Sequence, residues 1–140
     1  MENMEWKKDR YLVSTDRSKI DIDAVHNYLA QSYWAEGRSK DIVRRSIENS
    51  LCFGIYKQEN QIGFARVISD FATFAYLADV FIFEEERGRG LSKWLMEIIL
   101  EHPQLQELRR FTLATRDAHG LYAQFGFKSF ATPERWMERP

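Results

Sequence analysis

The chain is read as one α/β (α+β) domain with a mixed, mostly antiparallel sheet, and three observations predict it. The runs Leu51–Lys57 and 61–69 flank the polar turn Gln58-Glu59-Asn60, the pattern of an antiparallel hairpin. A third apolar run, 76–83, leads through two closely spaced glycines, Gly88 and Gly90, into an amphipathic helical pattern. At 140 residues the chain fits a single domain that buries a substantial core.

The elements follow in order. Residues Tyr11–Ser14 form a short first strand. Asp21 can cap a helix in which Ile22, Val25 and Leu29 share one face, running to about Tyr33. After a connector containing Glu36-Gly37, Ser39 can cap a second helix with Ile42, Val43 and Ile47 inward. The hairpin and the strand 76–83 come next. Leu91, Leu95, Ile98 and Ile99 line the helix after the glycine turn, and Pro103 marks its end. Residues 110–115 read as a strand and 118–125 as a short helix stopped by Gly126. A closing strand pair is predicted at 127–130 and 136–138. No internal repeat or linker interrupts this order, so 1–140 is one domain.

Composition excludes several classes. An apolar fraction of 44% with 14% aromatics is that of a packed protein. No apolar run approaches the ~20 residues that span a bilayer, and 1–5 lacks a signal peptide's basic and apolar regions, so a cytoplasmic, non-membrane protein is expected. A net charge of -1 without a long basic stretch argues against nucleic acid as a partner. Cys52 is a lone cysteine in an apolar run, which reads as a core thiol, and the three scattered histidines offer no metal set.

The segment Arg87-Gly88-Arg89-Gly90-Leu91-Ser92 carries the chemistry. A helix start leaves backbone N–H groups without intrahelical partners, and the peptide dipoles add partial positive charge there. Glycine admits backbone conformations closed to other residues and lets an anion approach the amides. Arg87 and Arg89 can add charge-assisted hydrogen bonds. Neither a Walker loop nor a Gly-x-Gly-x-x-Gly fingerprint fits, which argues against a nucleotide triphosphatase or a nicotinamide enzyme.

With the strand 76–83 before it and Leu121-Tyr122-Ala123-Gln124-Phe125-Gly126-Phe127 after it, this segment resembles the GNAT N-acetyltransferase superfamily. Arg87, Gly90 and Ser92 occupy the places of its Arg-x-x-Gly-x-Gly/Ala signature, Ser92 departing from the last. Tyr122 with Gly126-Phe127 fits its second mark. The resemblance implies a sheet whose central strands splay apart, and acetyl-CoA as acyl donor. It implies that Val80 and Ile82 offer backbone to the pantetheine arm, that the amides from Arg87 through Gly88, Arg89, Gly90 and Leu91 to Ser92 take the pyrophosphate, and that Thr115 stands where many relatives carry a cofactor-touching Asn.

Transfer of an acetyl group to a primary amine, here of a small molecule, needs oxyanion stabilisation and a proton for the leaving sulfur. A strand amide near Val80 suits the first and Tyr122 the second, although helical spacing also allows Tyr122 to be simply core. The strand's carboxylate, Asp79, is read by alternation as facing with Leu77, Phe81 and Phe83. Three roles are open to it: a proton acceptor through water, a binder of a cationic substrate, or a structural partner of an arginine such as Arg66 or Arg116. Tyr33, Trp34 and Glu36 are candidates for the acceptor pocket, or else packing and solvated residues. Glu84-Glu85-Glu86 is read as a solvated turn and His119 as solvent-facing. A non-catalytic acyl-CoA-binding module is the alternative function. The C-terminal aromatics Phe130 and Trp136 fit either a monomer's core or a homodimer contact.

Overall fold

The computed structural model describes residues 1–140. Strands β1 (Glu5–Lys8) and β2 (Tyr11–Ser14) precede helices α1 (Ile22–Ala30) and α2 (Lys40–Glu48). There follow β3 (Leu51–Lys57), β4 (Asn60–Ser69), β5 (Phe74–Ile82), α3 (Leu91–Glu101), β6 (Arg110–Leu113) and α4 (His119–Ala123). The six strands form one sheet in chain order. Every neighbour pair is antiparallel except β5 and β6, whose parallel pairing requires the crossover that α3 supplies.

Two cores lie on opposite faces of the sheet. One gathers Val13, Phe53, Ala65, Val67, Ala75 and Leu77 around α3, through Leu91, Leu95, Met96, Ile98 and Ile99. The other packs Val25 and Leu29 of α1 and Val43 and Ile47 of α2 onto Cys52, Phe64 and Phe81. The caps read from sequence form: Asp21 accepts from the Ala24 N–H, and Ser39 from the Ile42 N–H.

Several expectations are corrected. Strand β1 was not expected; three of its four residues are exposed, so it carries no burial pattern. Helix α1 stops at Ala30, and the N–H of Gln31 closes it on Tyr28 and Leu29. Ile42 is 46% exposed, because on α2 only Val43 and Ile47 face the sheet. The closing strand pair does not form. The Phe127 N–H instead bonds the Tyr122 carbonyl at the end of α4, Pro133–Arg135 is a 3-10 turn, and Phe130 stacks on Trp136 at 4.2 Å. Strand β6 is therefore an open edge of the sheet.

The turn after β5 is only partly solvated. Glu84 and Glu85 are exposed, but Glu86 is buried, receiving hydrogen bonds from Lys57 Nζ at 3.0 Å and Tyr11 Oη at 3.2 Å. The Lys57 ammonium holds its carboxyl below the usual carboxylate range. This pairing fastens the start of the glycine turn to the far side of the sheet.

Candidate active site

The glycine turn makes a helix start without a side-chain cap. Gly88 and Gly90 have φ of 79° and 77°, the left-handed region that favours glycine, and no neighbour lies where a Cβ would stand. The dihedral angle, and not crowding, requires glycine here. The N–H groups of Gly88, Arg89, Gly90, Leu91, Ser92 and Lys93 have no acceptor in the protein. Together with the dipole of α3 they present a concave run of donors suited to an anion. Arg87 is not part of that run. Its N–H goes to the Glu84 carbonyl, and its guanidinium to the Ile82 carbonyl and Tyr28 Oη. The cradle begins one residue later than the sequence suggested and extends to Lys93. Arg89 stays half-exposed, 3.9 Å from Glu86.

Beside the cradle the sheet opens. Pairing between β5 and β6 ends at Leu77 and Leu113, whereas β5 runs on to Ile82. Val80 and Ile82 thus lie on a stretch of β5 whose β6-facing edge has no strand partner. In the same stretch β5 bulges: Phe64 opposes Phe81 and Arg66 opposes Ala78, so Asp79 and Val80 together face Ala65. Asp79 takes φ of 54° to make the bulge. The extra residue reverses the alternation, which places Asp79 with Phe81 on the α1/α2 face and not with Leu77.

Tyr122 belongs to the α3-side core at 9% exposure, edge-on to Phe127. Burial, with Tyr33 nearby, pushes its phenol above the ordinary value, so it stays protonated. A groove of about 850 Å³ runs along β6 and α4, and Thr115, His119 and Tyr122 are among its lining. Thr115 Oγ1 accepts from the Ala118 N–H at the start of α4, leaving its own proton free to donate. His119 is exposed.

Across the splay, the α1–α2 connector reaches the β6–α4 loop. Tyr33 Oη accepts from the Arg116 N–H, and the Arg116 guanidinium lies 3.8 Å from the Tyr33 ring centroid. Trp34 meets Tyr33 edge-on and donates its Nε1–H to Asp79 Oδ1 at 2.9 Å. Asp79 Oδ2 accepts from both Arg66 Nε and Arg38 Nη1, each at 2.9 Å. Of the three roles open to Asp79, its surroundings are those of the ion-paired carboxylate, with Arg66 as one partner and Arg38, not Arg116, as the other. Glu36 is exposed and makes no ion pair. Sequence reasoning missed Arg38; its only signal was a buried strand aspartate that needed cations. No three His, Cys, Asp or Glu side chains gather to hold a metal, and no helix is long and apolar enough to cross a membrane.

A run of free backbone donors at a helix start and a strand whose edge is left open beside it make a site suited to an extended anionic ligand. The family model of the GNAT acetyltransferases matches residues 22–127, and the chain belongs to that family. Its acetyltransferases draw the acetyl group from acetyl-CoA. A Gibberella zeae protein provisionally named an acetyltransferase is 31% identical, over 89% of this chain and 83% of its own. A crystal structure of a provisionally named GNAT acetyltransferase from Xanthomonas campestris pv. campestris is 52% identical, with a TM-score of 0.93 over 96% of this chain and 95% of that one. A provisionally named acetyltransferase of Clostridium acetobutylicum, solved with acetyl-CoA, shares the fold at 13% identity, with a TM-score of 0.69 over 93% and 94% of the two chains.

Proposed function

We propose that the protein transfers the acetyl group of acetyl-CoA to a primary amine of a small molecule, by direct attack of the amine on the thioester. The observation that carries this reading is the run of partnerless N–H groups from Gly88 to Lys93, which follows directly on the open-edged end of β5. Those amides would hold the pyrophosphate, with Arg89 adding charge. Arg87 would act by fixing the turn, tying Ile82 to Tyr28. The free edge of β5 at Val80 and Ile82 would pair with the pantetheine arm as an added strand does. Acetyl-CoA supplies an activated thioester with a thiol leaving group.

The chain's own residues then have two tasks. A backbone N–H near Val80, on the stretch of β5 beyond its last β6 pair, would donate to the oxygen where negative charge develops. Tyr122, kept protonated by burial, would give the leaving sulfur its proton. Asp79 already accepts three hydrogen bonds and would position the wall of the acceptor site, with Tyr33, Trp34 and Glu36 lining it. The amine would lose its proton to water.

The test is a calorimetric titration with acetyl-CoA and free CoA beside ATP and NAD. Selective micromolar binding of the first two is expected, and none would overturn the reading. One observation favours a second reading, a non-catalytic acyl-CoA-binding module: Asp79, the carboxylate within β5 at the splay, is held by Arg66, Arg38 and Trp34 and is not free to act as a base. Turnover of any amine, lost in Tyr122→Phe while CoA binding persists, would exclude that module.

A further inference from the structure

Two guanidiniums share one carboxylate beside the splay. The side chains of Asp79, Arg66 and Arg38 are 2%, 11% and 22% exposed, and neither arginine has another acidic partner within ion-pair distance. Arg66 also donates to Ser50 Oγ, a neutral partner that leaves the cluster's charge unchanged, so two guanidiniums face one carboxylate. The cluster therefore carries excess positive charge in a partly dehydrated place. Excess charge there is costly unless an anion completes it.

Arg38 is built to receive that anion. Its Nη1 is fixed on Asp79, while its Nε and Nη2 have no acceptor in the protein. A guanidinium held at one corner keeps a planar pair of donors in a set orientation, the geometry that matches a carboxylate or phosphate. Arg38 is also the member of the cluster most open to solvent.

Its place in the fold is equally specific. The bulge sends Asp79 to the α1/α2 face, whereas Tyr122 and α3 belong to the opposite core. A donor molecule seated at the start of α3 leaves the α1/α2 side of the splay for the acceptor. That side is walled by Tyr33, Trp34 and Arg38, with Arg116 stacked on Tyr33 and itself 3.8 Å from Asp117. Two residues before Arg38 stands exposed, unpaired Glu36.

We propose that the acceptor is a zwitterionic small molecule, an amine that also bears a carboxylate or phosphate, and that Arg38 holds its anionic group while Glu36 attracts its ammonium. This rests on the acetyltransferase reading and names its substrate class. Polyamines and simple alkylamines are poor acceptors on this account, because they bring only positive charge to an already cationic wall.

The experiment is a CoA-release assay on matched pairs: amino acids against their decarboxylated amines, phosphoethanolamine against ethanolamine, and spermidine alone. The anionic member of at least one pair should be favoured in kcat/KM by about tenfold or more. The two sets of pairs distinguish carboxylate from phosphate. In Arg38→Gln that ratio should collapse towards one, chiefly through KM, and Arg38→Lys should restore it only in part. Thermal melting and acetyl-CoA titration of each variant establish that it is folded and binds donor. A ratio near one, preference for spermidine or neutral amines, a ratio unchanged in Arg38→Gln, or no amine turned over by a donor-binding enzyme would overturn the inference. Absence of acetyl-CoA binding would instead overturn the proposed function.

Discussion

Replacing Asp79 by Asn separates structural pairing from proton transfer. Asn tolerates the left-handed φ of 54° as well as Asp does, so the bulge is retained. It keeps an oxygen for Trp34 Nε1, but puts an amide donor, or at best a neutral acceptor, before Arg38 Nη1 and Arg66 Nε. Breaking a buried ion pair from one side costs about 3–5 kcal/mol. Arg38 can turn towards water, which argues for the lower end. For a chain of 140 residues the unfolding entropy is roughly 0.3 kcal/mol per kelvin, so about 3 kcal/mol lowers Tm by about 10 °C. Asp79→Ala should cost about 1 kcal/mol more, since Ala resists the left-handed region. Urea unfolding and thermal melting at pH 7 measure both. A loss below about 1 kcal/mol in Asp79→Asn, with turnover reduced about a hundredfold, would refute the structural assignment and make Asp79 the proton acceptor.

Tyr122→Phe should lower kcat by about 10²–10⁴ with CoA affinity unchanged, and because burial raises this phenol, wild-type activity should show no alkaline fall from its ionisation below about pH 10. Equal turnover in the variant would remove Tyr122 from the mechanism. Gly90→Ala meets no neighbour but pays the left-handed strain of about 1 kcal/mol, so acetyl-CoA affinity should fall about fivefold by calorimetry; an unchanged affinity would refute the cradle. Burial lowers the His102 pKa, so the unfolded chain takes up this proton first. The stability linked to it is present above about pH 6.5 and lost as pH falls below. The drop in Tm between pH 7 and 5 should therefore be larger in wild type than in His102→Asn, and equal drops would contradict this. Burial pushes the Cys52 thiol up to about 12, so iodoacetamide at pH 8 should label it only in unfolded protein, as mass spectrometry would report.

Periodicity and caps made most of the fold legible. Asp21 and Ser39 announce their helices, Leu91 to Ile99 announce α3, and the hairpin follows from a polar turn between apolar runs, although Asn60 joins β4 and the register carries a bulge at Ile55/Tyr56 that the pattern does not show. What escaped was set by tertiary pairing. Strand β1 has no hydrophobic alternation and exists because β2 offers it an edge. Residues 127–130 and 136–138 have strand-like composition, yet Phe130 and Trp136 find each other instead of a ladder. In the site, the glycine turn is a local pattern, readable as the start of α3, whereas spacing left Tyr122 between core and site, and the structure places it in the core around α3. The ion cluster joins Arg38, Arg66 and Asp79 from a connector and two strands, which no spacing rule brings together.

The bulge at Asp79 has the character of a frame shift in sidedness. Upstream of it Ala75 and Leu77 point into the core around α3; downstream, Phe81 points into the core under α1 and α2, and Ile82 into the first. A one-residue deletion here would not be a local lesion. It would exchange the two faces for every residue from Val80 onward, burying the wrong partner of each pair and turning the entry of the glycine turn with them. Length at this point of the chain is therefore constrained more tightly than identity: a substitution at 79 alters one ion cluster, whereas an insertion or deletion re-addresses the last third of the strand.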